Sequence, residues 1–133
     1  MKPVILIPTY NESTSIVELL RSLEELHQKR DFEVVILDDN SPDKTADIVQ
    51  SLKLPWVEIL RRPGKAGLGA AYRAGFAHVL PLGKYSKIVT MDADGSHRAE
   101  DIMNVLEYPS HPHLVVGSRY LPNSHIVGWS LGR

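Results

Sequence analysis

The chain has 133 residues, 43% of them hydrophobic and 23% charged, with a net charge of −1 and no cysteine. This composition describes one soluble globular domain with enough apolar side chain for a core, and it excludes disulfides, thiolate metal sites and the clustered positive footprint of a nucleic-acid binder. No apolar stretch reaches the roughly 18 residues of a transmembrane helix, and Met1-Lys2-Pro3 opens onto a run too short for a secretion signal.

In chain order, residues 4–7 form an apolar run of buried-strand length, ended by Pro8. Ile16, Leu19, Leu20, Leu23 and Leu26 recur at helical spacing and predict a helix over about 12–29 with one apolar stripe. A second strand, 34–37, closes on Asp38-Asp39-Asn40-Ser41-Pro42-Asp43, where Ser41 and Pro42 read as N-cap and first-turn residues of a helix running to about Leu52. A third strand over 57–60 leads into a Gly-rich loop, 63–69, and a helix over 70–80. The fourth strand is 88–91, followed by a helix over 100–106 and a fifth strand over 114–116. Short apolar strands separated by helices imply a layered α/β domain with a mostly parallel sheet.

In such a sheet, ligands bind beyond the carboxyl ends of the strands. That rule gathers Pro8-Thr9-Tyr10-Asn11-Glu12, Asp38-Asp39, the stretch 61–69 and Asp92-Ala93-Asp94 on one edge. Alternation along a strand would give Asp92 and Asp94 a common face, and two neighbouring carboxylates are costly to keep ionised without a cation. Hard oxygen ligands suit Mg²⁺ or Mn²⁺, and Mg²⁺ takes one or two carboxylates while water and substrate phosphates complete its shell. A solvated turn is the plain alternative for Asp-x-Asp. Gly64-Lys65-Ala66-Gly67-Leu68-Gly69 has a phosphate cradle's composition without the Walker spacing, and Tyr72 stands where a dinucleotide fingerprint has its third glycine. These glycines serve either a tight turn with close helix packing or a substrate contact.

Five blocks resemble, in order, those of the dolichyl-phosphate (polyprenyl-phosphate) mannosyltransferases, inverting glycosyltransferases of GT-A fold. They are Ile5-Leu6-Ile7-Pro8-Thr9-Tyr10-Asn11-Glu12, Asp38-Asp39-Asn40-Ser41-Pro42-Asp43, the stretch from Arg62-Pro63-Gly64-Lys65 to Ala70-Ala71-Tyr72, Met91-Asp92-Ala93-Asp94, and Val116-Gly117-Ser118-Arg119-Tyr120. The resemblance implies a Rossmann-like three-layer α/β/α sandwich and transfer of mannose from GDP-mannose to dolichyl or polyprenyl phosphate. It implies that Pro8, Tyr10 and Glu12 hold the nucleoside and that Asp39, with Leu37 beside it, meets the guanine base. It assigns Asp92, Ala93 and Asp94 to the ribose, diphosphate and metal, with Asp94 the direct ligand of Mg²⁺ or Mn²⁺ and Asp92 near it. Arg119 is expected on donor or acceptor phosphate and acts with Asp94 in catalysis; Arg133 is expected near the acceptor phosphate. His97 reads as a partner of the metal motif, a metal contact or a plain loop residue.

The chain departs from the family pattern at Lys44, Gly95, Ser96 and Arg98-Ala99, which leaves a third protein ligand unassigned. Residues 1–133 read as a single GT-A domain without the acceptor-side part that family members add after the final block. The expected setting is cytoplasmic and peripheral, at a membrane surface that carries the lipid phosphate, with a membrane-anchoring subunit as a possible partner. Two alternatives stand beside this reading: a sibling transferase using a UDP-sugar, and an idle nucleotide-sugar-binding module that needs a partner or a further C-terminal part.

Overall fold

The structure, a computed structural model, describes residues 1–109, 114–118 and 120–122. Among them four strands, β1 (Lys2–Thr9), β2 (Glu33–Asp38), β3 (Val57–Arg61) and β4 (Tyr85–Thr90), form one parallel sheet in the order β3-β2-β1-β4. The helices are α1 (Ser15–His27), α2 (Thr45–Ser51), α3 (Leu68–Val79) and α4 (Ala99–Glu107), and a 3-10 turn spans Leu80–Leu82. Alternation along β1 separates two cores. Ile5 and Ile7 join the α1, α2 and α4 side with Ile16, Val49 and Ile102, while Val4 and Leu6 join Val79 of α3 on the other face. The result is the expected three-layer α/β/α sandwich. The α1 stripe is the predicted one, with Ile16, Leu19, Leu20, Leu23 and Leu26 all buried.

Pro8 does not end the first strand, which runs on to Thr9 with Pro8 opposite Leu37 of β2. Leu6 accepts a bond from the Met91 N–H, so even-numbered residues of β1 turn their backbone groups toward β4. The β4 register ends at Leu6 opposite Thr90, so the N–H that proline lacks falls where no ladder needs it.

Ser41 and Pro42 do not begin the second helix. The Ser41 N–H and hydroxyl both donate to Asp38, at 3.0 and 2.6 Å, which holds them in the turn after β2. Helix α2 starts only at Thr45, after Lys44 in the left-handed region. The fifth strand over 114–116 does not form either, for those residues carry no ladder and Leu114 and Val116 are 78% and 72% exposed. Three residues offer too few ladder bonds to offset the entropy of ordering them.

Helix α3 lies close on the sheet because it presents Gly75 to it. A Cβ there would come within 2.8 Å of Leu37 Cδ1 and 3.0 Å of Leu6 Cδ1. Its N-terminus follows Gly67 at φ +87°, a conformation L-residues rarely adopt. Among the described residues no helix is long and apolar enough to cross a membrane.

Candidate active site

Because the strands are parallel, the loops after all four carboxyl ends share one edge, and their side chains meet there. The tightest junction joins the loops after β1 and β2. Asp38, 2% exposed, accepts from the Thr9 hydroxyl at 2.9 Å as well as from Ser41. Asp43 accepts from the Ser13 N–H at 3.0 Å and from the Thr45 N–H and hydroxyl at 3.0 and 2.5 Å. The Asn11 N–H donates to Ser41 Oγ, the Glu12 N–H to Thr45 Oγ1, and the Asp43 N–H to Asn11 Oδ1. Burial pushes the Asp43 carboxyl up, but the bonds from Thr45 and Ser13 outweigh it and hold the group at about 2. Asn11 and Asn40 take positive φ to make these turns, a conformation asparagine tolerates better than most residues.

This weld sets out the predicted nucleoside residues. Pro8 and Tyr10 are half-buried at the end of β1, and Glu12 is half-buried with its carboxylate accepting from Ser15 Oγ at 2.8 Å. Leu37 presents no surface, and it packs beneath the edge against the α3 side of the core. Its part is to seat the backbone of Asp38 and Asp39. Asp39 is 5% exposed, is ion-paired with Arg62 Nη1 and accepts from the Ala66 N–H at 3.4 Å. Lys65 lies over the Tyr10 ring, its Nζ 4.5 Å from the centroid.

The acidic motif is less tightly held. Strand β4 ends at Thr90, so the alternation that would give Asp92 and Asp94 a common face does not reach either residue. The chain bends instead. Asp92 accepts from the Tyr72 hydroxyl at 3.3 Å, and Asp94 accepts from the Ser96 N–H at 2.9 Å. Burial, and after it the Asp92 carboxylate, push the Tyr72 phenol up to about 12, so the hydroxyl keeps its proton as a donor. Bonds from Ser96, hydroxyl first and backbone N–H next, hold Asp94 below the ordinary carboxylate value. Ala93 is buried between the two acids. His97 Nδ1 accepts from the Asp92 N–H at 3.0 Å, so its ring proton sits on Nε2, 3.9 Å from Asp92 Oδ2. His97 thus braces the turn, and neither ring nitrogen is left to hold a metal in this arrangement.

Among the described residues no three His, Cys, Asp or Glu side chains gather as a metal site. Asp92 and Asp94 nevertheless fit a divalent cation of the Mg²⁺ or Mn²⁺ type, which needs only one or two carboxylates when substrate phosphates supply the rest. Arg119 and Arg133 lie outside the described residues.

Arg62, Lys65 and Tyr72 lie in one of the five family-like blocks, and the sequence assigns none of them a role. Arg62 reaches Asp39 because β2 and β3 pair Asp38 with Arg61 in parallel, which brings Asp39 and Arg62 together one step beyond. Tyr72 is half-buried on α3, and only the close seating of that helix at Gly75 brings its hydroxyl to Asp92.

The model of glycosyl transferase family 2 matches residues 4–133. An undecaprenyl-phosphate mannosyltransferase of Micrococcus luteus is 41% identical over the whole chain, and a polyprenol monophosphomannose synthase of Mycolicibacterium smegmatis is 37% identical over 96% of it. The chain spans 54% and 49% of those two relatives, about half their length. A solved mannosyltransferase of Pyrobaculum calidifontis, in complex with GDP-Man and Mn²⁺, superposes with a TM-score of 0.59 at 25% identity, covering 70% of this chain and 27% of that one. The chain belongs to glycosyl transferase family 2, and its sheet and layers are those of the GT-A fold.

Proposed function

We propose that this member of glycosyl transferase family 2 is the donor-binding part of an enzyme that transfers mannose from GDP-mannose to a polyprenyl or dolichyl phosphate, inverting the anomeric centre. The observation that carries the reading is the meeting, on one sheet edge, of a buried carboxylate with paired acceptor oxygens, Asp39, and an acidic turn, Asp92 to Asp94. Two mannosyl-phospholipid synthases among the relatives, and a mannosyltransferase solved with GDP-Man and Mn²⁺, support donor and acceptor classes together.

In this reading Asp39 accepts the paired N–H donors of the guanine base. Pro8, Tyr10 and Glu12 line the nucleoside, over a floor that Leu37 supports. Asp92, with Ala93, faces the ribose and diphosphate at the metal site, and Asp94 is the direct metal ligand. A bound Mg²⁺ or Mn²⁺ would offset the charge on the departing diphosphate. Arg119 is assigned to phosphate, which its planar fork suits, and Arg133 to the acceptor phosphate.

The nucleophile is a phosphate oxygen of the lipid, already anionic near neutral pH, so no general base is assigned. Its electron pair forms the new bond to the anomeric carbon as the bond to the diphosphate breaks, and GDP leaves with the electrons of the broken bond. Inversion of an α-linked donor yields a β-linked lipid-phosphate mannose. Catalysis then rests on positioning and charge stabilisation. The lipid acceptor puts the reaction at a membrane surface, and an anchoring subunit fits that setting.

Calorimetric titration of GDP-mannose and UDP-glucose, with and without Mn²⁺, into the chain and into Asp94→Ala tests this function. Metal-dependent preference for GDP-mannose that collapses in the variant is the expected result. Preference for the uridine nucleotide reassigns the chain to a sibling transferase, and binding of neither overturns the donor site.

A further inference from the structure

The loop after β3 occupies both positions at which the proposed function needs a nucleoside. Asp39 is the acceptor assigned to the base, yet its carboxylate is paired with Arg62, the two side chains nearly buried at 7% and 13% exposure respectively. The Ala66 N–H, from the same loop, takes the other oxygen. Tyr10 offers its ring, and Lys65 covers it. A guanidinium presents parallel N–H donors much as the N–H edge of a nucleobase does, and a carboxylate cannot serve both at once. An ammonium over an aromatic face likewise keeps a flat ring off that face.

We infer that Arg62 and Lys65 are internal stand-ins for the nucleoside, and that a nucleoside diphosphate exchanges them onto its phosphates when its base takes Asp39 and its rings take Tyr10. Charge supplies the reason for the exchange. A base carries no net charge, so a nucleoside alone would break the Arg62–Asp39 pair and leave a desolvated guanidinium without an anion, which is costly. A diphosphate brings anionic oxygens to the same edge and gives both cations new partners. The loop therefore selects phosphorylated ligands over free nucleosides before any chemistry, and Arg62 and Lys65 are specificity-determining residues. This rests on the donor reading above.

The test compares guanosine with GDP, and uridine with UDP, titrated into the wild-type chain, Arg62→Met and Lys65→Met. With the pair removed, guanosine should bind about tenfold tighter to Arg62→Met than to wild type while GDP binds about tenfold weaker, a crossover set by the worth of one charge-assisted bond. Lys65 is exposed, so Lys65→Met is safe for folding and should show the same crossover at smaller amplitude. Parallel weakening of nucleoside and diphosphate in both variants, or no change in either, overturns the exchange. The same crossover seen with uridine and UDP in place of the guanine ligands keeps the exchange and rejects the guanine donor, so the two readings fail separately.

Discussion

The two halves of the edge are built differently. At the nucleoside corner, the loops after β1 and β2 bond to each other through Asn11, Glu12, Ser13, Ser41, Asp43 and Thr45, over strands whose middle residues are wholly buried. At the acidic turn, Asp92 and Asp94 hang from the end of β4, an outer strand of the described sheet, with Tyr72, His97 and Ser96 as their bonded partners. A neutral base brings no charge to shape its site, so the frame that the loops after β1 and β2 form is fixed in advance, and the loop after β3 is the part that must move. Metal and diphosphate bring strong charges and set their own geometry, so their turn can stay loosely tied until they arrive.

The sharpest way to break that comparison is to remove one carboxylate from each side. Asp38→Ala strands a buried Thr9 hydroxyl and the Ser41 N–H, and should cost about 3 kcal/mol, since each unsatisfied buried group costs about 1–3. Asp94→Ala should leave stability within about 0.5 kcal/mol, as surface changes do, while abolishing metal-dependent nucleotide binding. Urea midpoints with parallel calorimetry read both. Equal stability losses would mean the turn is as preorganised as the corner.

The same contrast explains what the sequence could tell. Helical stripe, strand runs and shared edge were legible because each follows from a local period plus the rule that parallel strands end together. The sequence places Asp38 on the shared edge without a role, and its three donors show that it ties the loops after β1 and β2 together. The start of α2 was misread because a Ser-Pro cap signal competes with bonding of Ser41 to the Asp38 carboxylate three residues back, which holds it in the turn. Pro8 was misread because a proline's effect on a strand depends on where the neighbouring ladder stops. The Asp39–Arg62 and Tyr72–Asp92 pairs lie 23 and 20 residues apart, and no local pattern encodes them.

A middle-sized effect is expected from Tyr72→Phe. The phenol is the described link from α3 to the acidic turn, donating to Asp92 at 3.3 Å. Phe fills the same space, so stability should change by less than about 1 kcal/mol, the net worth of one such bond. Losing a partner that orients a metal-site carboxylate typically weakens metal affinity about tenfold or more. Mn²⁺-dependent GDP binding by Tyr72→Phe should therefore fall about tenfold, with metal-independent binding unchanged. A variant that loses stability and keeps its Mn²⁺ dependence would make Tyr72 a packing residue and the turn self-supporting.

The smallest effect is in the acid limb, to which the corner's Asp43 should contribute more than the acidic turn's Asp94. Asp43 is held at about 2 in the folded chain against an ordinary 3.8, so the unfolded chain binds the proton more readily. Its contribution is then fully present above about pH 4 and is lost as pH falls toward 2. Solvent screening at this half-exposed site holds that contribution to about 1 kcal/mol. Asp43→Asn abolishes the titration and sets an NH₂ where one oxygen accepts the Ser13 N–H, so the variant should be weaker at pH 7 and flatter between pH 4 and 2. Asp94 is also held low, but by Ser96 within its own exposed turn, so Asp94→Asn should leave the acid limb nearly as steep as in wild type. If Asp94→Asn flattens the limb more than Asp43→Asn does, the acidic turn is the preorganised half and the comparison is inverted.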